Sequence, residues 1–314
     1  MAAQYADHLA ALHAGFETPP QLIAVAAREV TPSPLVSTER VVHGEANEVY
    51  RLTFASGLAV ILRIARRAAG KFEKEAWAIG RCRALGVPAP EVLSLQTAQD
   101  GEETLEFCFL ELLPGQRLSD SLDLPPETLR GVVRELGETI SRMHTIGAGQ
   151  LGEGARFFEN DTDDFLVTVP EFVTLGEAAG LERHALERAC RLVETTMAHH
   201  APLPRTLTHN DFRACHVLVD DGRLSGLIDF GEASIDSPIN EFGKWDYWEA
   251  PALPAAWLQE GYGDQTLFGN GYDELFRAFR LSNALWALRW YALTGFAAGV
   301  ARAAGRITGY LAAL

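Results

Sequence analysis

Apolar and polar positions change their rhythm twice along the 314 residues. Residues 1–30 carry apolar positions at helical spacing, Leu9, Leu12, Phe16 and then Leu22, Ile23, Val25 and Ala26, with a break at Pro19 and Pro20. This predicts a helical N-terminal extension. From Val36 the run VSTERVVHGEANEVYRLTFASGLAVILRIA alternates in short β-branched stretches, and turn signals at His43-Gly44-Glu45 and Ser56-Gly57 divide it into three strands. Helical spacing returns from Lys71 to Leu85 and stops at Gly86, before Pro88 and Pro90. Two further strand-like runs, Val92 to Gln96 and Thr104 to Leu113, complete a unit of five strands and one helix.

After Pro114-Gly115 the pattern is helical, over Glu127 to Thr145, Leu181 to His200 and Tyr272 to Leu314. There only Val217 to Val219 and Leu224 to Ile228 read as strands, joined as a hairpin across Asp220-Asp221-Gly222. The chain is expected to be α+β in two parts. Residues 1–113 form an N-terminal helix plus a β-rich lobe, residues 114–314 form a helical lobe, and Leu112 to Gly115 is the short hinge between them.

Composition narrows the function classes. With 47% hydrophobic and 22% charged residues, disorder and fibrous repeats are excluded. A net charge of 27 − 42 = −15 argues against nucleic acid or anionic lipid as partner and leaves a cationic small molecule attractive. The longest uncharged stretch near the C-terminus, Trp290 to Ala301, is short of the roughly 20 residues a membrane helix needs. The start MAAQYADHLAALH carries Asp7 and lacks a signal peptide's basic and apolar regions, so a cytoplasmic protein outside the membrane is expected, a monomer or weak dimer. Cys82, Cys108, Cys190 and Cys215 are far apart with no C-x-x-C pair, which predicts reduced thiols.

The chemistry gathers in LTHNDFRACHVLVDDGRLSGLIDFGEASIDSP, residues 207–238. His209, Asp211, His216 and Asp229 surround one small hairpin there. A carboxylate in a loop before a strand can orient a hydroxyl and take its proton, while a second at the end of the return strand can hold Mg²⁺. H-x-D-x-x-x-x-(N/H), a hairpin and then I-D-F-G resembles the catalytic core of the aminoglycoside and macrolide phosphotransferases, relatives of the eukaryotic protein kinases.

That resemblance implies a two-lobed protein-kinase-like fold, with Asp211 as catalytic base, His216 and Asp229 as metal ligands, and His209 as a brace for the loop. The family more commonly has Asn at the position of His216; a hydrogen bond from His216 to Asp211 or to a metal-bound water is the alternative to direct coordination. Upstream, Gly44 to Tyr50 stands where the family has its nucleotide loop, with Gly44 and Asn47 over the phosphates. Arg63 takes the place of the usual lysine, Glu75 that of its partner, and FCFLELLPG resembles the hinge whose backbone from Glu111 to Leu113 meets the nucleotide base. Glu241 stands where the family commonly has Asp, a departure that bears on local packing.

Structural readings hold for other features. GAGQLG, residues 147–152, follows a helix and is read as a loop; His199-His200 complements a helix end; Cys215 fills space. The aromatic residues from Trp245 to Tyr291 are read as core of the helical lobe, part of them walling an acceptor cleft. The resemblance implies transfer of the γ-phosphoryl of ATP or GTP to a hydroxyl of a small molecule, an antibiotic of the aminoglycoside or macrolide type. A metabolic kinase for choline, a sugar or an amino acid, and a catalytically silent nucleotide-binding module, are the alternatives.

Overall fold

The computed structural model describes residues 2–42 (2–4 as backbone), 44, 47–66, 70–159 and 165–313. Two helices lead, α1 (Ala2–His13) and α2 (Pro20–Ala27), parted by the predicted break at Pro19. Then come β1 (Leu35–Arg40), β2 (Glu48–Phe54), β3 (Ala59–Arg66), α3 (Lys71–Ala84), β4 (Val92–Asp100) and β5 (Glu103–Glu111). The strands form one antiparallel sheet in the order β1-β2-β3-β5-β4.

Alternation along β3 sends Val60, Leu62 and Ile64 into a core with Ile23, Ala26 and Ala27 of α2. Ile61, Arg63 and Ala65 consequently face the other way, toward α3 and the second half of the molecule. Helix α3 buries Phe72, Glu75, Ala78, Ile79 and Cys82 on one stripe, so Glu75 is turned inward with the apolar residues.

The second half contains β6 (Gln116–Arg117), α4 (Pro126–Met143), α5 (Phe165–Ala178), α6 (Arg183–His199) and β7 (Thr206–Thr208). It continues with β8 (Val217–Asp220), β9 (Arg223–Leu227), β10 (Ser234–Asp236), α7 (Pro238–Glu249), α8 (Ala255–Gly261), α9 (Tyr272–Leu293) and α10 (Ala297–Ala312). A core running through α3, α4, Phe212, Phe230 and Trp245 joins the two halves, and α5, α6, α9 and α10 enclose another.

Several elements differ from the sequence reading. The expected single helix from Tyr272 is two, because Gly295 at φ 75° ends α9 in a Schellman turn: Phe296 N–H donates to Tyr291 O at 2.9 Å and Gly295 N–H to Ala292 O at 3.4 Å. Besides the expected hairpin β8–β9, the second half holds the short strands β6, β7 and β10, with β6 on β8 and β7 on β10. Helix α5 was hidden by Pro170 in its interior, and α7 and α8 by their shortness and neighbouring prolines. Residues 148–150 form a 3-10 turn. The 3-10 segment Gly152–Phe157 lies against α3 so closely that a Cβ on Gly154 would stand 2.0 Å from the Trp77 ring, and Trp77 also packs on Phe158 at 5.4 Å. All four cysteines are free, and among the described residues no helix is long and apolar enough to cross a membrane.

The segment leading into the sheet is fixed by Glu48. Its buried carboxylate accepts from Thr18 Oγ1 (2.8 Å), Tyr50 Oη (2.7 Å) and Arg66 Nη2 (3.2 Å). Burial pushes the carboxyl up, but these hydrogen bonds and the Arg66 charge outweigh it and hold it below the ordinary 4.5. The stabilisation is therefore present at neutral pH and is lost as pH falls through the depressed folded-state value. Glu48→Gln should lower stability by about 2 kcal/mol near neutral pH. Urea unfolding compared at neutral pH and in acid should show the gap between the two proteins narrowing; a gap that widens in acid would contradict the account.

Candidate active site

The loop between β7 and β8 is shaped by buried polar groups on α7. The Glu241 carboxylate accepts the amides of His209 at 3.1 Å and Asn210 at 2.9 Å, and Glu249 accepts that of Ala214 at 2.8 Å. Lys244 donates to the Asn210 carbonyl and to its Oδ1 at 2.7 Å, which holds Asn210 at φ 59°. His209 Nε2 donates to Ile228 O at 2.9 Å, and its Nδ1 accepts the Asp211 amide at 3.3 Å. Burial pushes the His209 imidazole down, in keeping with that neutral tautomer. His209 thus ties the loop to the end of β9, where Asp229 follows at φ 67°. A non-glycine residue in this region costs of order 1 kcal/mol or more, which Asn and Asp bear best.

This framework brings together Asp211, His216 and Asp229, each offering a donor atom within 4.8 Å of the others. His216 Nδ1 donates to Asp211 O at 2.8 Å, and Nε2 lies 3.4 Å from Asp229 Oδ2. Burial would lower the imidazole, but negative charge on the Cys215 sulfur, whose own pKa the ring lowers, and the two carboxylates lift it to about 9. Asp211 and Asp229 move the other way. Burial opposes their charge, yet Arg213 and His216 hold Asp211 below its ordinary value, and Arg63 and His216 do so for Asp229. Two ionised carboxylates and an imidazole fit a divalent cation that accepts oxygen and nitrogen, an ion taking the place of the Nε2 proton.

Arg63 and Glu75 meet as the sequence reading expected, Nη1 on Glu75 Oε1, with the other arm on Asp229 Oδ1 at 2.7 Å. Strand β3, helix α3 and the end of β9 thereby share one buried guanidinium, which also covers the Phe72 ring at 5.6 Å. Burial disfavours the Arg63 charge, but Asp229 and Glu75 raise its pKa above the ordinary value.

Above the cluster opens a cleft of about 2030 Å³, lined by Gly44, Asn47, Arg63, Glu111 and Leu113 as well as Asp211, His216 and Asp229. Glu75 stands behind Arg63, outside the lining. Glu45 and Ala46, between Gly44 and Asn47, lie outside the described residues. Glu111 is tied to Glu91: its amide donates to Glu91 O at 2.9 Å, and its carboxylate accepts from the Glu91 amide at 3.0 Å. Of the aromatic residues read as core, Trp245 is fully buried, whereas Trp248, Trp286, Trp290 and Tyr291 line the cleft.

Sequence reasoning missed Arg213, whose Nη2 donates to Asp211 Oδ2 at 3.0 Å while Nε lies 3.0 Å from Oδ1 and the guanidinium stacks on Trp248 at 4.8 Å. Its position two residues after Asp211 was the available signal. Lys244 and Glu249 had none, being over 30 residues from their partners. Glu241, noted only as a packing departure, anchors the loop.

Residues 37–275 match the model of the phosphotransferase enzyme family, and the chain belongs to that family. The hygromycin-B 4-O-kinase of Escherichia coli is 24% identical over 200 residues, which cover 61% of this chain. The chain spans 57% of that relative's length. The fold is the two-lobed, protein-kinase-like one of aminoglycoside phosphotransferase APH(4)-Ia, whose thermostable mutant was solved with ADP and hygromycin B: TM-score 0.70, 20% identity, covering 92% of this chain and 98% of that one. The GDP complex of aminoglycoside 2'-phosphotransferase-IIIa gives TM-score 0.73 and 16% identity, covering 94% and 99%.

Replacing Glu241 by Ala strands two buried amides and removes the charge facing His209. Stability should fall by roughly 3 kcal/mol, read from urea unfolding. A loss under about 0.5 kcal/mol would show that the loop holds its shape without Glu241.

Proposed function

We propose that this phosphotransferase moves the γ-phosphoryl group of ATP or GTP to a hydroxyl of an antibiotic, an aminoglycoside such as hygromycin B or a macrolide. The observation that carries the reading is the meeting of Asp211, His216 and Asp229 in one cluster beneath the cleft that Gly44, Asn47 and Arg63 overhang. Asp211 accepts a hydrogen bond from the acceptor hydroxyl, aims its oxygen at the γ-phosphorus and receives its proton as the new O–P bond forms and the bond from the γ-phosphorus to the β–γ bridging oxygen breaks, releasing ADP or GDP. Because Arg213 holds Asp211 ionised, its proton affinity is modest and orientation is its first task. A loose transition state, in which the alcohol keeps its proton until late, suits such a base.

His216 and Asp229 would hold Mg²⁺, which would neutralise charge on the phosphate oxygens. Arg63, fixed by Glu75, aims Asp229 and lends its charge to the α and β oxygens. Gly44 and Asn47 cover the phosphates, and the backbone from Glu111 to Leu113 meets the base. For the acceptor, the net charge of −15 and the hygromycin kinase relative favour an aminoglycoside. The cleft-lining Trp248, Trp286 and Trp290 favour a macrolide as the second reading.

Mass spectrometry of the protein with Mg²⁺, ATP or GTP and a panel of aminoglycosides and macrolides should reveal a product heavier by one phosphoryl group. Nucleotide binding with no product from any antibiotic would refute the acceptor class. Asp211→Ala should reduce kcat about 10²- to 10⁴-fold with nucleotide affinity kept, and wild-type turnover in that variant would remove Asp211 from its role. Asp229→Ala should abolish the Mg²⁺ dependence of nucleotide binding; an unaltered Mg²⁺ titration would dismiss it as a ligand.

A further inference from the structure

Helix α1 lies ahead of residues 37–275, the stretch that matches the family, and it touches both halves of the molecule. At its C-terminal end, His13 Nδ1 lies 3.2 Å from Arg40 Nη2. A guanidinium only donates, so Nδ1 accepts and Nε2 carries the hydrogen that it gives to the Gly44 carbonyl at 2.6 Å. Arg40 also donates to Phe16 O at 2.7 Å, and Thr18 is bound to Glu48, so this end is fixed to the sheet. At the other end, the rings of Tyr5 and His8 pack on Phe296, 5.4 and 4.9 Å between centroids, in the turn between α9 and α10. Tyr5, Gly44 and Phe296 all line the cleft. Phe296 in turn packs on Tyr291 at 5.4 Å, Tyr291 on Trp248 at 6.3 Å, and Trp248 carries the guanidinium of Arg213, the residue that grips Asp211. Tyr5 thus shares one wall of the cleft with Phe296, Trp248 and Arg213.

We propose that α1 is a strap across the cleft, in which Tyr5 contacts the acceptor and determines specificity, while the His13–Gly44 bond couples that wall to the nucleotide loop. The acceptor part of this proposal rests on the function proposed above. The coupling part does not. A ligand that steadies the Gly44 loop steadies α1 through His13, and α1 in turn presents Tyr5 to the acceptor.

Two measurements on the full chain test it. Amide hydrogen exchange of residues 2–16, followed with and without Mg·AMP-PNP, should slow about tenfold on binding in the wild type and change little in His13→Ala. Exchange indifferent to nucleotide, or slowed equally in His13→Ala, overturns the coupling. With an antibiotic that the wild type phosphorylates, Tyr5→Ala should raise the acceptor KM about tenfold and the nucleotide KM less than twofold, and Tyr5→Phe should restore most of the difference. An unchanged acceptor KM in Tyr5→Ala overturns the contact. If the wild type phosphorylates no antibiotic, the acceptor reading fails by itself, and the strap is decided by the exchange experiment.

Discussion

One guanidinium holds the site in register. Arg63 joins Glu75 and Asp229, so that a strand, a helix and the end of a hairpin share one buried cation. A buried charge that loses its partner costs several kcal/mol, so the three groups must arrive together or not at all. The alternation of β3 is thereby constrained, since Arg63 must face away from the α2 core that takes Val60, Leu62 and Ile64. The stripe on α3 and the left-handed backbone of Asp229 answer to the same demand. Packing between the halves supplies bulk stability, but the ion cluster sets where they meet.

The strands of the β-rich half and the helices α3, α4 and α6 were legible because each repeats a simple period over many residues. Arg63, Glu75, Asp211, His216 and Asp229 were legible through spacing, which a resemblance to a known family turned into expected roles. What escaped was of two kinds. Short elements such as β7, β10 and α8 have too few residues for a period, and Pro170 disguises α5. The inward carboxylates of Glu241 and Glu249 and the ammonium of Lys244 escaped because a charged side chain in an amphipathic pattern reads as solvated. Only the fold reveals that they face the unpaired amides and carbonyl of a loop more than 30 residues back.

Local and overall charge part company in this molecule. The whole chain carries −15, yet Asp211 is surrounded by Arg213, Lys244 and His216. The excess of acid attracts cations over a distance, whereas the cations beside Asp211 govern its proton affinity at short range. Long-range attraction and short-range recognition therefore draw on different residues.

The contact of Trp77 with Gly154 has a consequence for timing. In a machine that is switched, the helix bearing the buried glutamate needs room to swing away and back. Here the indole of α3 is seated on a segment of the other lobe with no space for even a methyl group between them. An outward swing would have to open a cavity where Trp77 now sits against Phe158. The helix is thus held inward by packing alone, with Glu75 presented to Arg63 whatever fills the cleft.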